Sequence, residues 1–307
     1  MPDKQQATTR QQGLIWATGA YSIWGFLPLY WKLLAGLPAF VVLCHRTFWA
    51  ACLGLLVCTV NRPLRAALKK ALDPRILPLI SLSTCFVGCN WFLYIWAVNS
   101  GHVIETSLGY FMNPLLNVFV GTLFLKEKLR PAQWSAIAIA FTGVIIMIGF
   151  YGTFPWISIA LATSFALYGV LKNRTPGSPL ANLTIESLVL SIILMPVLFW
   201  FSSGDTSISF MNQSPATMAL LVFSGFFTAC PLFCFGKAAQ LLPLSILGFM
   251  QYLAPTLQLC IGIWVFKEDF GSQDMLAFGF IWLALLVFSV DGLLRLRLRS
   301  SSSQASL

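Results

Sequence analysis

Apolar residues come in ten long runs separated by short polar stretches, at roughly 13–31, 39–60, 76–98, 103–125, 131–150, 155–171, 181–201, 216–239, 244–266 and 274–293. Most run for about twenty residues without two-residue alternation, which is the helix length that crosses a hydrocarbon layer about 30 Å thick. Lipid offers no hydrogen bonds to a backbone, so a spanning chain must satisfy its own amides as helix bundle or closed barrel; continuous runs select helices. The first twelve residues, with Asp3, Lys4 and Arg10, read as a polar tail and not as a cleavable signal, because the first apolar run leads directly into further spans.

Charge orders the spans. Arg62, Arg65, Lys69, Lys70 and Arg75 lie between spans two and three, Lys126, Lys128 and Arg130 between four and five, and Lys172 and Arg174 between six and seven. Arg295, Arg297 and Arg299 follow the last span, whereas the alternate loops hold only Lys32 and Lys267. The positive-inside rule then places both termini in the cytoplasm, which requires an even number of spans. Composition agrees: 58% of the residues are hydrophobic and 9% charged, against roughly 25% charged in soluble proteins. Topology and anionic lipid account for the net charge of +9, so no nucleic-acid partner is expected. The eight cysteines fall inside apolar runs and read as small packing residues; His45 and His102 lack zinc spacing, so neither metal nor cofactor is expected.

The chain repeats itself. Asn113-Pro114, then Gly121 and Lys126-Glu127, return as Ala254-Pro255, Gly262 and Lys267-Glu268 at an offset of 141 residues. Phe92, Tyr94 and Ala97 meet Phe233, Phe235 and Ala238 at the same offset, and Trp24-Gly25 meets Tyr168-Gly169 at 144. Because each half holds an odd number of spans, the second must cross the membrane in the opposite sense. The predicted fold is an all-α integral membrane protein of ten transmembrane helices in two inverted five-helix repeats. Its units are a tail over 1–12, repeats over 13–150 and 151–294, and a basic, serine-rich tail over 295–307. Two near-equivalent halves that exchange conformations open a midplane site to one side and then the other.

Candidate site residues follow from polarity inside the spans. Glu105, Gly109, Asn113 and Asn117 recur every four residues on span four, and Gln251 and Gln258 lie on its counterpart, span nine. Such stripes face a bundle interior. Tyr21, Trp24, Asn90, Tyr94, Tyr110, Tyr168 and Tyr252 join them as candidate lining, since small-molecule pockets are mainly apolar and aromatic with few polar groups. Pro114 and Pro255 are expected to disturb their helices. Charges inside a span cost about 2.5–3.5 kcal/mol each at the centre, so His45, Arg46, Glu105 and Glu186 need partners. Depth suggests two ion-pair gates, Arg46 with Glu105 outside and Glu186 with Lys237 inside, and His45 maps onto Glu186 at the 141-residue offset. Ala132, Ala136, Ala140 and Gly143 form a small-residue ridge for helix packing, with a homodimer seam as the alternative use.

Several segments carry a family resemblance: Ala20-Tyr21-Ser22-Ile23-Trp24-Gly25, His45-Arg46, Asn90-Trp91 with Ile95-Trp96-Ala97-Val98, and Glu105-Thr106-Ser107-Leu108-Gly109-Tyr110-Phe111-Met112-Asn113-Pro114. Leu247-Gly248-Phe249-Met250-Gln251-Tyr252-Leu253-Ala254-Pro255-Thr256 and Phe280-Ile281-Trp282 continue it in the second half. Over nearly the whole chain the sequence resembles the RarD-type (chloramphenicol-sensitive protein) branch of the EamA-like drug/metabolite transporter superfamily. The resemblance implies a ten-helix permease of a bacterial inner membrane, acting on small organic metabolites or drugs, with export as the expected direction. The competing classes are a membrane-embedded enzyme and a channel. The sequence shows neither a nucleophile–base cluster nor a filter-like loop or charged ring, and no enzymatic activity is expected.

Overall fold

A computed structural model describes residues 2–125, 131–151, 154–175, 178–242, 246–247 and 250–304. Its helices are α1 (Pro2–Lys32), α2 (Ala39–Val60), α3 (Arg62–Ala71), α4 (Leu77–Asn99), α5 (Val103–Leu125), α6 (Pro131–Tyr151), α7 (Trp156–Arg174), α8 (Pro179–Gly204), α9 (Pro215–Leu241), α10 (Leu253–Cys260) and α11 (Ser272–Gln304). α2, α4, α8, α9 and the stretch Asp274–Asp291 are each long and apolar enough to span a membrane. All but α3 correspond to the predicted spans, giving ten transmembrane elements in two inverted repeats. Both chain ends therefore leave on one side, here termed the terminal face; the opposite side is the distal face.

α3 is the element that the hydrophobic pattern did not announce. The run of basic residues after span two folds as an amphipathic helix along the terminal face. The Asn61 side chain accepts a bond from Leu64 N at 3.0 Å, capping the first turn. Leu64 packs with Cys58 and Ala181, and Ala71 packs with Ile80 and Ile185, while Arg62, Arg65, Lys69 and Lys70 stay on the open side.

Packing exchanges the first helix of each repeat. α1 lies against α9 and α10 of the second half, and its counterpart α7 lies against α4 and α5 of the first. α2 with α8 and α6 with α11 form the symmetric contacts. Between membrane helices the attraction comes mainly from close packing, so small residues sit where backbones touch. A Cβ on Gly225 of α9 would lie 2.4 Å from the Trp49 carbonyl carbon of α2, and one on Gly109 of α5 would lie 2.8 Å from the Ser158 carbonyl oxygen of α7. The alanine ridge of α6 is used within the chain: Ala136 and Ala140 are buried with Phe278, Ile281, Ala284 and Leu285 of α11.

α10 is short because span nine is interrupted. The chain is helical at Ile246, Leu247 and Met250, turns at Gln251 and Tyr252, and resumes helix at Leu253. Pro255 thus stands in the first turn of α10, directly after the mid-span break expected there, whereas Pro114 lies within a continuous α5. α10 widens into a π-helical turn over Ile261–Val265, after which Lys267 adopts a left-handed φ of 54°. That turn aims Glu268 at the start of α5, where its two carboxylate oxygens accept from Val103 N and Ile104 N, each at 2.8 Å. The Lys267-Glu268 signal is thus a helix cap supplied by the other half of the molecule. Its repeat partner, Lys126-Glu127, and the side chain of Asn117 lie outside the described residues.

Candidate functional site

Two buried charges occupy pseudo-symmetric depths. Arg46 is the eighth residue of α2 counted from the distal face, and Glu186 the eighth of α8 counted from the terminal face. At 1.5 Å per residue each lies about 10 Å inside its face. Their surroundings differ in kind.

Arg46 sits in an aromatic cage. Its Nε donates to Thr228 Oγ1 of α9 at 2.9 Å, and its Cζ lies 4.2 Å from the Trp91 ring centroid and 5.0 Å from that of Trp31. The phenols of Tyr110, Tyr94 and Tyr30 are also close enough to act on it electrostatically. Glu186, fully buried, is instead compensated: Lys172 Nζ donates to Oε1 at 2.7 Å, Ser83 Oγ to the same oxygen at 3.2 Å, and Tyr168 OH to Oε2 at 3.2 Å. Neither expected gate pair forms. Glu105 pairs with His102 at 2.8 Å, one turn away at the start of α5, shallower than Arg46. Lys237 is exposed and lies over the Phe233 ring, 5.8 Å from its centroid. His45 meets Phe210, ring centroids 5.2 Å apart, and no acid.

Aromatic rings join the two charges. Tyr94 and Tyr110 have centroids 5.5 Å apart, Tyr110 and Phe165 6.5 Å, and Phe165 and Tyr168 6.0 Å, from which the Tyr168 hydroxyl reaches Glu186. A second group, Tyr21, Trp24 and Phe235, stands between α1 and α9, and Tyr252 stacks on Phe111 with centroids 6.3 Å apart. Several of the polar candidates hold helices together. The Asn90 amide donates to Leu161 O at 2.9 Å and Ser164 Oγ at 3.0 Å on α7, and Gln258 Nε2 donates to Trp24 O at 3.2 Å on α1. Tyr21 OH donates to Leu247 O at 3.2 Å. Asn113 is buried, and Gln251 is half-buried beside Tyr252. Trp31, Trp91, Phe165, Thr228, Ser83 and Lys172 were not read as site residues from the sequence; Trp91 entered only inside the Asn90-Trp91 pair, and Lys172 only as a loop cation.

The two ends of this aromatic path are unlike. At the distal end α1 packs on α4, where Lys32 Nζ donates to Asn99 O at 3.4 Å, and on α9, where Tyr30 OH donates to Leu220 O. Leu27, Trp31, Leu34, Val98, Ile157, Leu198 and Leu221 close around them in one buried cluster. The equivalent pair, α7 with α9, has no comparable packing among the described residues. Phe165 is 36% exposed and Tyr110 and Tyr168 are half-buried. The path is sealed distally.

The sequence profile of the EamA-like transporter family matches twice, over residues 11–149 and 155–290. This chain belongs to the EamA-like transporter family, in its RarD-type branch. A Vibrio cholerae transporter is 39% identical over 292 residues, covering 95% of each chain. The RarD protein of Escherichia coli is 37% identical over 290 residues, 94% of this chain and 97% of that one. A chloramphenicol-sensitive RarD protein of Pseudomonas aeruginosa is 30% identical, covering 93% and 96%. One crystal structure, 16% identical in sequence, superposes with a TM-score of 0.58 over 91% of this chain and 97% of its own, and shares the fold. The EamA-like chain is accordingly a multi-pass membrane transporter.

Proposed function

We propose that this EamA-like transporter is an alternating-access permease that exports small organic metabolites or drugs across a bacterial inner membrane, with both termini in the cytoplasm. One observation carries the reading: an aromatic path between two inverted halves, packed shut by α1 and α4 at the distal end and, among the described residues, not by α7 and α9 at the other. An inverted repeat that moves by exchanging the conformations of its halves must be asymmetric in any one state. Loop charge sets the direction, since the basic helix α3 and Arg75 lie on the terminal face and Lys32 and Lys267 on the distal face. The state described is then open to the cytoplasm.

Tyr94, Tyr110 and Tyr168 line the path, with Trp24, Asn113, Gln251 and Tyr252 beside it. Reporter fusions after residue 70, after residue 205 and at the C-terminus test the orientation; an external signal at residue 70 overturns it. Counterflow of labelled solutes in proteoliposomes tests the activity. Alanine at Asn113 or Gln251 is expected to weaken transport at unchanged membrane abundance, and unchanged transport in both removes those residues from the site.

A further inference from the structure

The cage around Arg46 is short of negative charge and rich in donors. Among the described residues no carboxylate meets the guanidinium, whose ring and hydroxyl neighbours are neutral. Arg46 Nη1, Trp31 Nε1 and Tyr94 OH are all buried and have no hydrogen-bond partner there; their residues are 5%, 0% and 4% exposed. A buried cation is stable when an anion neutralises it, and donors left unpaired in a low dielectric are costly. The other buried charge, Glu186, has Lys172 and two hydroxyl donors, so the fold can compensate a charge at this depth. At Arg46 it leaves the anion to be supplied from elsewhere.

We infer that Arg46, with Trp31 Nε1 and Tyr94 OH, is an oxyanion subsite for the transported solute, and that the substrate class is monocarboxylic acids bearing an apolar or aromatic body. The inference rests on the transporter reading and deepens it. Three donors and one positive charge match one carboxylate, which carries one negative charge and accepts several bonds. A phosphate dianion would leave a second buried charge uncompensated. Location agrees with the chemistry: Tyr110 and Phe165 continue from Tyr94 along the path, giving the body of the acid an aromatic wall while its head reaches Arg46 beneath the distal seal. Binding there also bears on α1, α2 and α4 together, through Trp31, Arg46 and Trp91, and so acts on the helices that form that seal.

The test uses full-length protein in nanodiscs and compares phenylacetate, 3-phenylpropionate and 4-phenylbutyrate with their amides, by thermal stabilisation and calorimetry. A ligand that binds only the folded form raises its stability, and each amide keeps the body while removing the charge. The acids are expected to stabilise and the amides not. Arg46→Gln is expected to weaken acid binding by about tenfold to a hundredfold, and Tyr94→Phe, which keeps the ring, by about threefold to tenfold. Arg46→Lys keeps the charge and is expected to retain the preference for acids, which covers the case in which Arg46→Gln does not fold. Amides that bind as well as acids, an acid preference unchanged in both Arg46→Gln and Tyr94→Phe, or failure of wild-type protein to bind any acid each overturn the subsite. Counterflow in proteoliposomes with the neutral amides and other uncharged solutes is scored separately: activity there retains the transporter reading when the subsite fails, and absence of movement for every solute overturns both.

Discussion

Replacing Lys172 by Met removes the cation that compensates Glu186 and leaves a fully buried carboxylate with only the Ser83 and Tyr168 hydroxyls. Breaking a buried pair from this side costs about 3–5 kcal/mol, because the remaining charge stays out of water. The reverse change is milder. In Glu186→Gln the stranded partner is Lys172, whose side chain is 23% exposed and stands near the terminal end of α7, where a long amine can reach solvent. That loss falls nearer the exposed-pair range of about 1 kcal/mol. Glu186→Gln also keeps an amide for Ser83 and Tyr168. The double variant Lys172→Met/Glu186→Gln removes both charges and is expected to regain about 2 kcal/mol relative to Lys172→Met alone. The assay is thermal unfolding of the three variants in one detergent, followed by intrinsic fluorescence at one scan rate, since unfolding of membrane proteins is often irreversible. Equal losses in the two single variants, or a double variant no better than Lys172→Met, would refute the claim that burial of Glu186 dominates this pair.

Glu268→Ala removes both acceptors from the start of α5 and is expected to cost about 1–3 kcal/mol, with Glu268→Gln intermediate because it keeps one acceptor oxygen; thermal unfolding checks both. Gly225→Val forces α9 off the α2 backbone and is expected to abolish monodisperse protein on size exclusion, while Gly19→Ala, with open space around it, leaves the profile unchanged. Asn90→Leu cuts the bonds to Leu161 and Ser164 and is expected to lower stability by about 1–3 kcal/mol without altering solute preference; a changed preference at unchanged stability returns Asn90 to the solute path.

How far the sequence could be read depended on the direction being asked about. Position along the membrane normal follows from counting residues in a helix, so the spans, and the placing of Arg46 toward one face and Glu186 toward the other, were legible. Rotation about a helix axis, and the neighbour met there, were not. Glu186 lies toward the same face as a lysine on α9, yet it faces α4 and α7, where Ser83, Tyr168 and Lys172 wait. Glu105 finds a nearer partner in its own first turn, His102, three residues away. α3 escaped because ten residues with a basic face look the same as a loop until Leu64 and Ala71 have something to cover. Amides such as Asn90 and Gln258 were correctly read as facing inward, but an inward amide bonds a neighbouring helix as readily as a ligand, and hydropathy does not separate the two.

The crosswise seating of α1 and α7 has a consequence for how the molecule is made. A ribosome that has delivered only the first five spans leaves α4 and α5 without their neighbour: the Asn90 amide has no Leu161 carbonyl or Ser164 hydroxyl to meet, and the shallow groove at Gly109 has no Ser158 backbone in it. The cap on α5 arrives later still, with Glu268. A nascent chain stopped near residue 150 is therefore an incomplete substrate for membrane quality control rather than a folded half, and should be degraded when expressed alone. The same interlock makes the halves reunite: co-expressed as separate polypeptides divided between α6 and α7, each brings the helix that the other lacks, and both should persist only together.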